Sequence, residues 1–404
     1  MAKKKKTVLI SILVIVPVAI VTLVLVTPLF QPRFNLPPEQ DESENTQVAT
    51  TDNRSNGTAV TALMPTTIDI LSSTSAFPFV QRWIAQYENQ QLASSSNVNV
   101  DYLTDGEIIA AESDSGRSDL AIVGVHNENN KTLYVPVSAQ AVAIVYNIPS
   151  FPDIPTGLRL NSTMLSLILN GSINEWDDAA IKELNPNLNL PHERIVVVHS
   201  GGDNTSSSSH SSQLLLNQYL GSQNLRWPKN DSIITSGPAE LAEMVRKIPY
   251  SIGYVDFSYA VQTRMTYAAI ENADGDYVVP STYSIRRAVD LGLQFHNSST
   301  DLTAPQQRQQ QQLLIPPSIN ASRIVSDAYP IVGLYYASLF ATNDDKEEDE
   351  IRRNAAILDL VEWIISESGG QLTLLEVQYP SIYSDNEQLV AYAEITMDTI
   401  QNSN

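Results

Sequence analysis

The chain has 404 residues, of which 43% are hydrophobic, with a formal net charge of −21 and no cysteine. This length accommodates two ordinary domains with a sizeable core. The acidity argues against nucleic acid as a partner, because phosphate backbones attract basic surfaces. The absence of cysteine excludes disulfides, so packing alone must stabilise the chain.

The N-terminus has the pattern of a membrane anchor. Residues 3–6 are lysines, and residues 7–30 form an uncharged run that is long enough to cross a bilayer as a helix. A cleaved signal peptide, which is the alternative, has a shorter apolar run of about 7–15 residues and a small-residue cleavage site. We predict a single-pass signal anchor at 7–30 with residues 1–6 as a cytoplasmic basic tail. The C-terminal part is then extracytoplasmic, at the cell surface or in a lumen.

A polar segment follows the predicted anchor. Residues 31–61 are rich in polar and acidic residues and in proline, which predicts a disordered linker. Asn-x-Ser/Thr sequons would accept glycans in a eukaryotic secretory pathway, although a composition rich in Asn and Ser also explains them. They begin at Asn53, Asn56, Asn130, Asn161, Asn170, Asn204, Asn230, Asn297 and Asn320.

From residue 62 onward, short β patterns alternate with amphipathic helical patterns. The first part predicts strands at 67–71, 98–103, 118–125 and 135–147, with a helix opened by Pro78. This alternation indicates a mainly parallel, doubly wound sheet.

The second part continues the alternation. We predict helices at 163–171, 179–186, 211–221 and 238–249, a strand at 194–200, a strand or turn entering a helix at 251–262, a strand or helix at 328–340, an exposed acidic loop at 342–350, and a helix from Ile351 to near Gly369. The Gln-rich segment 305–312 has the composition of a solvated loop.

Signatures of enzymes are missing from the sequence. It has no Gly-x-Ser-x-Gly elbow, no His-Glu-x-x-His helix and no phosphate-binding Gly-Lys-Ser/Thr loop. Ser206 to Ser209 lie beside His210, but a soft loop offers no rigid group to orient that histidine for hydrolysis. We therefore predict a protein that is not an enzyme, without catalytic residues, metal ligands or cofactors.

Three loops each join a predicted strand to a helix, at 72–78, 103–107 and 199–210. Doubly wound folds bind ligands at the carboxyl ends of their parallel strands. Hydroxyl residues at helix N-termini suit an oxyanion, because the first N–H groups of a helix are unpaired and its dipole is positive there. For the loop 199–210, a flexible segment that ends in an ordinary N-cap is the alternative.

Five segments, in order along residues 65–382, carry a family resemblance. The longest is 165–200, in which Gly171, Ile173, Trp176, Asp177, Asp178, Ala180, Ile181, Leu184, Asn185 and Pro186 follow one pattern; the others are 73–87, 251–260, 328–340 and 360–382. The chain resembles the extracytoplasmic phosphate-binding proteins of bacterial phosphate ABC importers, which are PstS-like type II periplasmic binding proteins.

The resemblance implies a two-lobed α/β fold with doubly wound mixed sheets, here preceded by the transmembrane helix. Lobe I would comprise 62–143 plus 318–404, and lobe II would comprise 144–317. The implied function is binding of phosphate or a similar small oxyanion in the cleft between the lobes, and a membrane protein is a possible partner.

The implied ligand site departs from the family pattern. The family binds with Thr and Phe of the first loop, Ser of the second, Asp after the third strand and an Arg-x-Asp-Gly-Ser-Gly-Thr loop. Here Thr is replaced by Ala76, Asp by Gly124, and Arg by His199 or by nothing; the second-loop Ser falls on Thr104 or Asp105. The resemblance gives as candidate ligand residues Ser75, Phe77, Thr104, Asp105, His199, Asp203, Asn204, Thr205 and Ser206.

The missing charges predict weaker binding than in the family. Arginine gives a permanently charged fork for an oxyanion, whereas a histidine with an ordinary pKa near ~6.5 is mostly neutral outside the cell. Loss of one buried charged partner costs about 2–5 kcal/mol, or roughly two to three decades in affinity. The alternative is a retired binding-protein scaffold that contacts other proteins at the cell surface.

Overall fold

A computed structural model describes residues 66–90, 96–103, 108, 118–125, 132–149, 157–201, 211–221, 226–228, 232–295, 315–340 and 348–402. The predicted anchor, the linker and the Gln-rich segment lie outside these ranges. Within them, no helix is both long and apolar enough to cross a membrane. Residues 61–404 form one compact unit.

The first lobe is built on strands β1 to β4 and on a late strand, β14. Its elements are β1 (Thr66–Ser73), α1 (Phe77–Gln90), β2 (Ser96–Leu103), β3 (Leu120–Val123), β4 (Thr132–Asn147), β14 (Val332–Phe340), α8 (Glu348–Ile365), α9 (Gly370–Leu374) and α10 (Glu387–Asn402). Strands β1, β2 and β3 are mutually parallel in the order β2-β1-β3, and β14 joins β3 in the antiparallel direction.

The second lobe is built on β6, β7 and β8, which pair in parallel in the order β8-β6-β7. Its elements are β5 (Arg159–Leu160), α2 (Ser162–Leu169), α3 (Ala179–Leu184), β6 (Val196–Ser200), α4 (Ser211–Tyr219), β7 (Ser232–Thr235), α5 (Pro238–Lys247), β8 (Ser251–Asp256), α6 (Phe257–Gln262), β9 (Thr266–Tyr267), β10 (Ala269–Glu271), β11 (Tyr277–Val278), α7 (Thr282–Gly292), β12 (Leu293–Gln294) and β13 (Ser318–Ile319).

The long strand β4 connects the two lobes. Its residues 132–141 pair antiparallel with β14, and its residues 142–147 pair antiparallel with β8. Its partner therefore changes between Ala141 and Val142, two residues before the predicted lobe boundary. Almost every residue of β4 is buried, which explains its continuous apolar pattern.

The returning connection still contacts the second lobe beyond residue 318, where the second part of lobe I is predicted to begin. Strand β13 pairs with β12, and the N–H of Ala273 donates to the carbonyl of Ile324 at 3.1 Å. These bonds hold residues 318–324 against the second lobe. The N–H of Val142 donates to the carbonyl of Ile331 at 3.0 Å, so we propose that the chain changes lobe near Ile331.

The two-lobed α/β fold with mixed sheets is confirmed, and most predicted elements are present. The segment 328–340, predicted as a strand or a helix, contains the strand β14. The prediction of an exposed loop over 342–350 is wrong at its end, because α8 begins at Glu348. Acidic residues favour helix N-termini as well as loops, so composition alone did not distinguish them. Helices α7 and α10 were not predicted at all.

Candidate functional site

The carboxyl ends of the three parallel strands of the first lobe lie together. Ser73 at the end of β1 pairs with Leu103 at the end of β2, and Ser72 pairs with Ile122 in β3. The N–H of Thr74 donates to the carbonyl of Leu103 at 2.9 Å. The carboxyl ends of β1, β2 and β3 therefore lie at one edge of the sheet, which is where doubly wound folds bind ligands.

Helix α1 begins directly after the first of these loops. The Oγ atoms of Ser73 and Ser75 lie 2.8 Å apart, and the N–H of Ala76 donates to the carbonyl of Ser73 at 2.9 Å. The N–H of Phe77, the first residue of α1, has no partner within the helix. Phe77 is 40% exposed, and its ring packs edge-on against that of Tyr102, with ring centroids 4.6 Å apart.

In the second lobe, hydrogen bonds hold the start of α4 against β6. The Oγ of Ser200, at the end of β6, lies 2.9 Å from the Oη of Tyr254 and 3.2 Å from the Oε1 of Gln213 in the first turn of α4. Burial raises the pKa of Tyr254 to about 12, so its hydroxyl stays protonated. These neutral groups fix the direction in which the N-terminus of α4 points.

The lobes touch where β3 ends and α4 begins. A Cβ atom on Gly124 would lie 2.6 Å from the Cβ of Ser211 and 2.8 Å from the Oε1 of Gln140. Gln140 belongs to β4, and its Nε2 donates to the Oγ of Ser211 at 2.6 Å. Position 124, where the resemblance implies an aspartate, therefore has no room for a side chain in this arrangement.

His199, the candidate replacement for the arginine, is buried and stacked. Its ring lies parallel to that of Trp227 at 4.3 Å between centroids, and Trp227 also stacks on Tyr254 at 5.9 Å. The Nδ1 atom lies 3.1 Å from the carbonyl oxygen of Ser200. Desolvation lowers the pKa of His199, so the ring is neutral at neutral pH and supplies no positive charge.

A buried carboxyl, Asp256, also connects the lobes. It ends β8 and caps α6, accepting from the N–H of Ser258 at 2.9 Å. Tyr335 of β14 donates to its Oδ2 at 3.1 Å, and the Oη of Tyr379 lies 3.3 Å from its Oδ1. The same Tyr379 hydroxyl lies 3.0 Å from the carbonyl oxygen of Ser75. Burial raises the pKa of Asp256.

The predicted ligand residues divide into two groups. Ser75 lies on the loop between β1 and α1, Phe77 is the first residue of α1, and His199 is the last but one residue of β6. The remaining candidates, Thr104, Asp105, Asp203, Asn204, Thr205 and Ser206, lie outside the described residues. Sequence reasoning missed Gln140, Ser211, Asp256 and Tyr379. Two of them carry a recognisable signal, because Gln140 is an isolated glutamine in an apolar strand and Asp256 is an acidic residue at the end of another apolar strand.

One exposed cluster has the spacing of a metal site. Ligand atoms of Glu175, Asp177 and His192 lie within 4.8 Å of one another. However, the Nζ of Lys182 lies 3.1 Å from the Oδ2 of Asp177, and the Nδ1 of His192 lies 3.1 Å from its Oδ1. The carboxylate of Asp177 is thus engaged by Lys182 and by the His192 ring, and the cluster is better described as a surface network of ion pairs and hydrogen bonds.

Comparison with known proteins identifies the fold family. The family described as a PBP superfamily domain matches residues 42–368. The chain belongs to this PBP superfamily. The PBP chain is 27% identical over 327 residues to the phosphate-binding protein PstS of Methanocaldococcus jannaschii, covering 75% of this chain and 80% of that one. It is 30% identical to PstS of Pasteurella multocida over 249 residues, covering 57% and 70%.

A solved structure agrees with the fold. The high affinity periplasmic phosphate-binding protein PfluDING, solved with bound phosphate, aligns with a TM-score of 0.55 and 12% identity, covering 83% of this chain and 93% of that one. The predicted kinship with PstS-like proteins is therefore confirmed. The relatives named here are binding proteins rather than enzymes, and PfluDING is periplasmic.

Proposed function

We propose that this PBP domain binds phosphate or a related tetrahedral oxyanion between its lobes. The observation that carries the proposal is the meeting of β3 and α4 at Gly124 and Ser211. Strand β3 is parallel to β1, so the start of α1 stands at the same edge. Two helix N-termini from different lobes thus lie near one another, and unpaired N–H groups at such positions favour an anion.

The first-lobe contacts would come from Ser75 and from the N–H of Phe77. The second-lobe contacts would come from the start of α4 and from the preceding loop. From the sequence alone, Thr104 and Asp105 are proposed for the loop after β2. Asp203, Asn204, Thr205 and Ser206 are proposed for the loop before α4. His199 would contribute to the shape of the site and not to its charge, because its ring is neutral and stacked on Trp227.

The proposed affinity is lower than that of an arginine-containing site. Ser75, Phe77, Gly124, Gln140 and Ser211 are all uncharged, so the anion would be held by neutral donors and helix dipoles. Hydrogen bonds to charged donors are roughly twice as strong as neutral ones. The chain's net charge of −21 also disfavours an approaching anion, although salt screens distant charges over about 8–10 Å.

We further propose that residues 7–30 anchor the domain on the extracytoplasmic side of a membrane. The support is the sequence alone: four lysines followed by an uncharged run of spanning length. Retention of the full chain in alkali-washed membranes, and its release when residues 1–30 are removed, would test the anchor. A full chain that alkali washes out would contradict it.

Titration calorimetry of the full chain in detergent micelles tests oxyanion binding. Phosphate, sulfate, arsenate and a phosphonate are each titrated into wild type, Phe77→Pro and Thr282→Pro. Proline is tolerated at the first position of a helix but has no N–H to donate. Thr282 is the first residue of α7, so its replacement removes the corresponding helix N–H away from the site.

We expect phosphate to release or absorb heat with wild type and with Thr282→Pro. Phe77→Pro should bind about 10–100-fold more weakly, because a hydrogen bond to a charged group is worth about 1.5–3 kcal/mol. No heat with any of the four ions, in a sample with native circular dichroism, would refute the proposal. The close Gly124–Ser211 contact would then favour the second candidate, a scaffold whose closed lobes contact other proteins.

A further inference from the structure

Gln140 occupies the place where the two lobes and the connecting strand meet. It lies in β4 opposite Gly333 of β14, one residue before Ala141, after which β4 changes its partner. Its side chain is completely buried. Glutamine is rarely buried unless its amide is hydrogen bonded, so both polar atoms of this side chain are expected to have hydrogen-bond partners.

Within the described part of the chain, only one end of the Gln140 amide has a partner. Nε2 donates to the Oγ of Ser211 at 2.6 Å, whereas Oε1 has no hydrogen-bond partner among the described residues. Turning the amide exchanges the two ends but leaves one of them unpaired, because a serine hydroxyl can either donate or accept. An unpaired buried polar atom destabilises the fold, and a ligand that pairs with it would recover that loss.

The unpaired end lies at the start of α4 and against Gly124. The Oε1 atom is 2.8 Å from the place that a Cβ of residue 124 would occupy. Any side chain at position 124 would displace this amide. Because residue 124 is a glycine, the neutral amide of Gln140 occupies the space beside the nine-residue helix α4 that a side chain at position 124 would otherwise fill. A helix N-terminus and an unpaired, buried polar group thus coincide here.

We propose that Gln140 determines which oxyanions the site accepts. This inference rests on the proposed function and names its specificity residue. When the lobes open at the hinge, an ion can reach this amide, and its free end would bond one oxygen of a tetrahedral oxyanion. As a C=O it accepts from the P–O–H of hydrogen phosphate, and as an NH₂ it donates to an oxygen of sulfate, which carries no proton. The hydroxyl of Ser211 stays bonded in both orientations. The site would therefore bind both ions.

Replacement of Gln140 by glutamate tests this account directly. An ionised carboxylate only accepts hydrogen bonds, so it would suit a protonated oxyanion and repel one without a proton. Replacement by methionine keeps a similar length but removes both polar atoms. Gln262 is exposed in α6, and its replacement by glutamate is the matched control for added charge.

Wild type, Q140E, Q140M and Q262E are titrated as full chains in detergent micelles with phosphate and with sulfate at pH 8. We expect wild type and Q262E to bind the two ions within about 10-fold of each other. Q140E should lower the affinity for sulfate relative to phosphate by about 100-fold, which is the range expected for an uncompensated buried charge. Q140M should weaken both ions by about 10-fold or more.

Thermal unfolding of the ligand-free variants separates binding from folding. Q140M removes an unpaired buried atom, so its Tm should equal or exceed that of wild type while its affinity falls. The inference is overturned if Q140M binds both ions as wild type does, if Q140E leaves the ratio unchanged, or if wild type discriminates more than 100-fold. Should Q140E not fold, Q140M alone decides. If wild type binds neither ion while folded, the proposed function itself fails.

Discussion

The hydroxyl of Tyr379 lies 3.3 Å from Oδ1 of Asp256 and also 3.0 Å from the carbonyl oxygen of Ser75. A tyrosine hydroxyl has one proton, so it cannot donate to both oxygens at once. If Asp256 is protonated, its O–H donates to Tyr379, and Tyr379 donates to Ser75. The raised pKa of Asp256 is consistent with that arrangement. One hydroxyl thus links the second lobe to the loop before α1.

Replacement of Tyr379 by phenylalanine should destabilise the fold. Both Asp256 and the carbonyl of Ser75 lose a buried partner, and each unpaired buried group costs about 1–3 kcal/mol. Urea unfolding of residues 61–404 measures the change in the free energy of unfolding. Tyr392→Phe is the control, because that hydroxyl donates to a single carbonyl, that of Tyr134, at 3.1 Å. A smaller loss for Tyr379→Phe than for the control would contradict the shared role.

Asp256→Asn should change how stability depends on pH. Burial raises the pKa of Asp256 in the folded state above the ordinary carboxyl value near ~3.9, so the folded state holds this proton more tightly than the unfolded state does. Its contribution to stability is therefore fully present below the unfolded pKa and is lost as pH rises through the folded pKa, by about 1.4 kcal/mol for each pH unit between them.

Asparagine cannot ionise, so the stability of Asp256→Asn relative to wild type should increase as pH rises from 4 to 7. Urea unfolding of both proteins at several pH values gives this difference directly, and other carboxyls cancel in it. A difference that stays constant or decreases over that range would show that Asp256 is ionised at low pH in the folded protein.

Regular patterns in the sequence predicted much of the fold. Two local patterns correctly predicted structure. The apolar run predicted β4, and Gly171, which has a φ of +78°, marked the end of a helix. Position 171 also lies under Pro228, so a Cβ there would approach its ring at 3.0 Å. Helix α7 was missed because its N-terminal signal is a Ser281–Ser284 capping box, which lacks the usual acidic third residue.

The site was less predictable because its described residues depend on contacts between distant segments. Gln140 and Ser211 are 71 residues apart, and Tyr379 and Asp256 are 123 apart. No local sequence pattern predicts a contact between residues so far apart in the chain. The resemblance located the strand ends and the loss of a charged residue at position 124, but it could not show that an amide from another strand occupies that space.

His192 should titrate above its ordinary value because of Asp177. The hydrogen bond that the His192 ring donates to Asp177 is the main cause that raises the pKa of His192, followed by the charges of Asp177 and Glu175. The contribution of this pair to stability is fully present below the unfolded pKa and is lost as pH rises through the folded pKa. NMR titration of the His192 ring should give a pKa above ~6.5.

Asp177→Asn should return the pKa of His192 toward the ordinary value, whereas Glu193→Gln should change it little. Glu193 acts on His192 only as a distant charge and is the smallest contributor. Each substitution removes one negative charge, so the comparison separates the direct contact with Asp177 from the effect of an acidic residue that makes no hydrogen bond to the ring. Equal shifts in both variants would show that the summed negative charge of the surrounding residues, and not the contact with Asp177, raises the pKa of His192.

Gly124→Ala should disturb the contact between the lobes. The new Cβ would lie 2.6 Å from the Cβ of Ser211, 2.7 Å from its Oγ and 2.8 Å from the Oε1 of Gln140. Overpacking of this kind costs about 1–3 kcal/mol. A two-lobed protein can also relieve it by opening, because its hinge allows rigid-body motion of one lobe against the other. We expect a lower urea midpoint, a larger radius of gyration by X-ray scattering, or both.

Gly237→Ala provides the matched control for this substitution. Gly237 has an extended φ of −178° and precedes α5, and a Cβ there would meet no atom of the described residues within 4 Å. The same methyl group is therefore added without a collision, so stability and radius should stay close to those of wild type. If Gly124→Ala behaves like Gly237→Ala, then Ser211 does not pack on position 124 in solution. The lobes would then rest further apart, and the amide of Gln140 would be open to solvent before any ligand arrives.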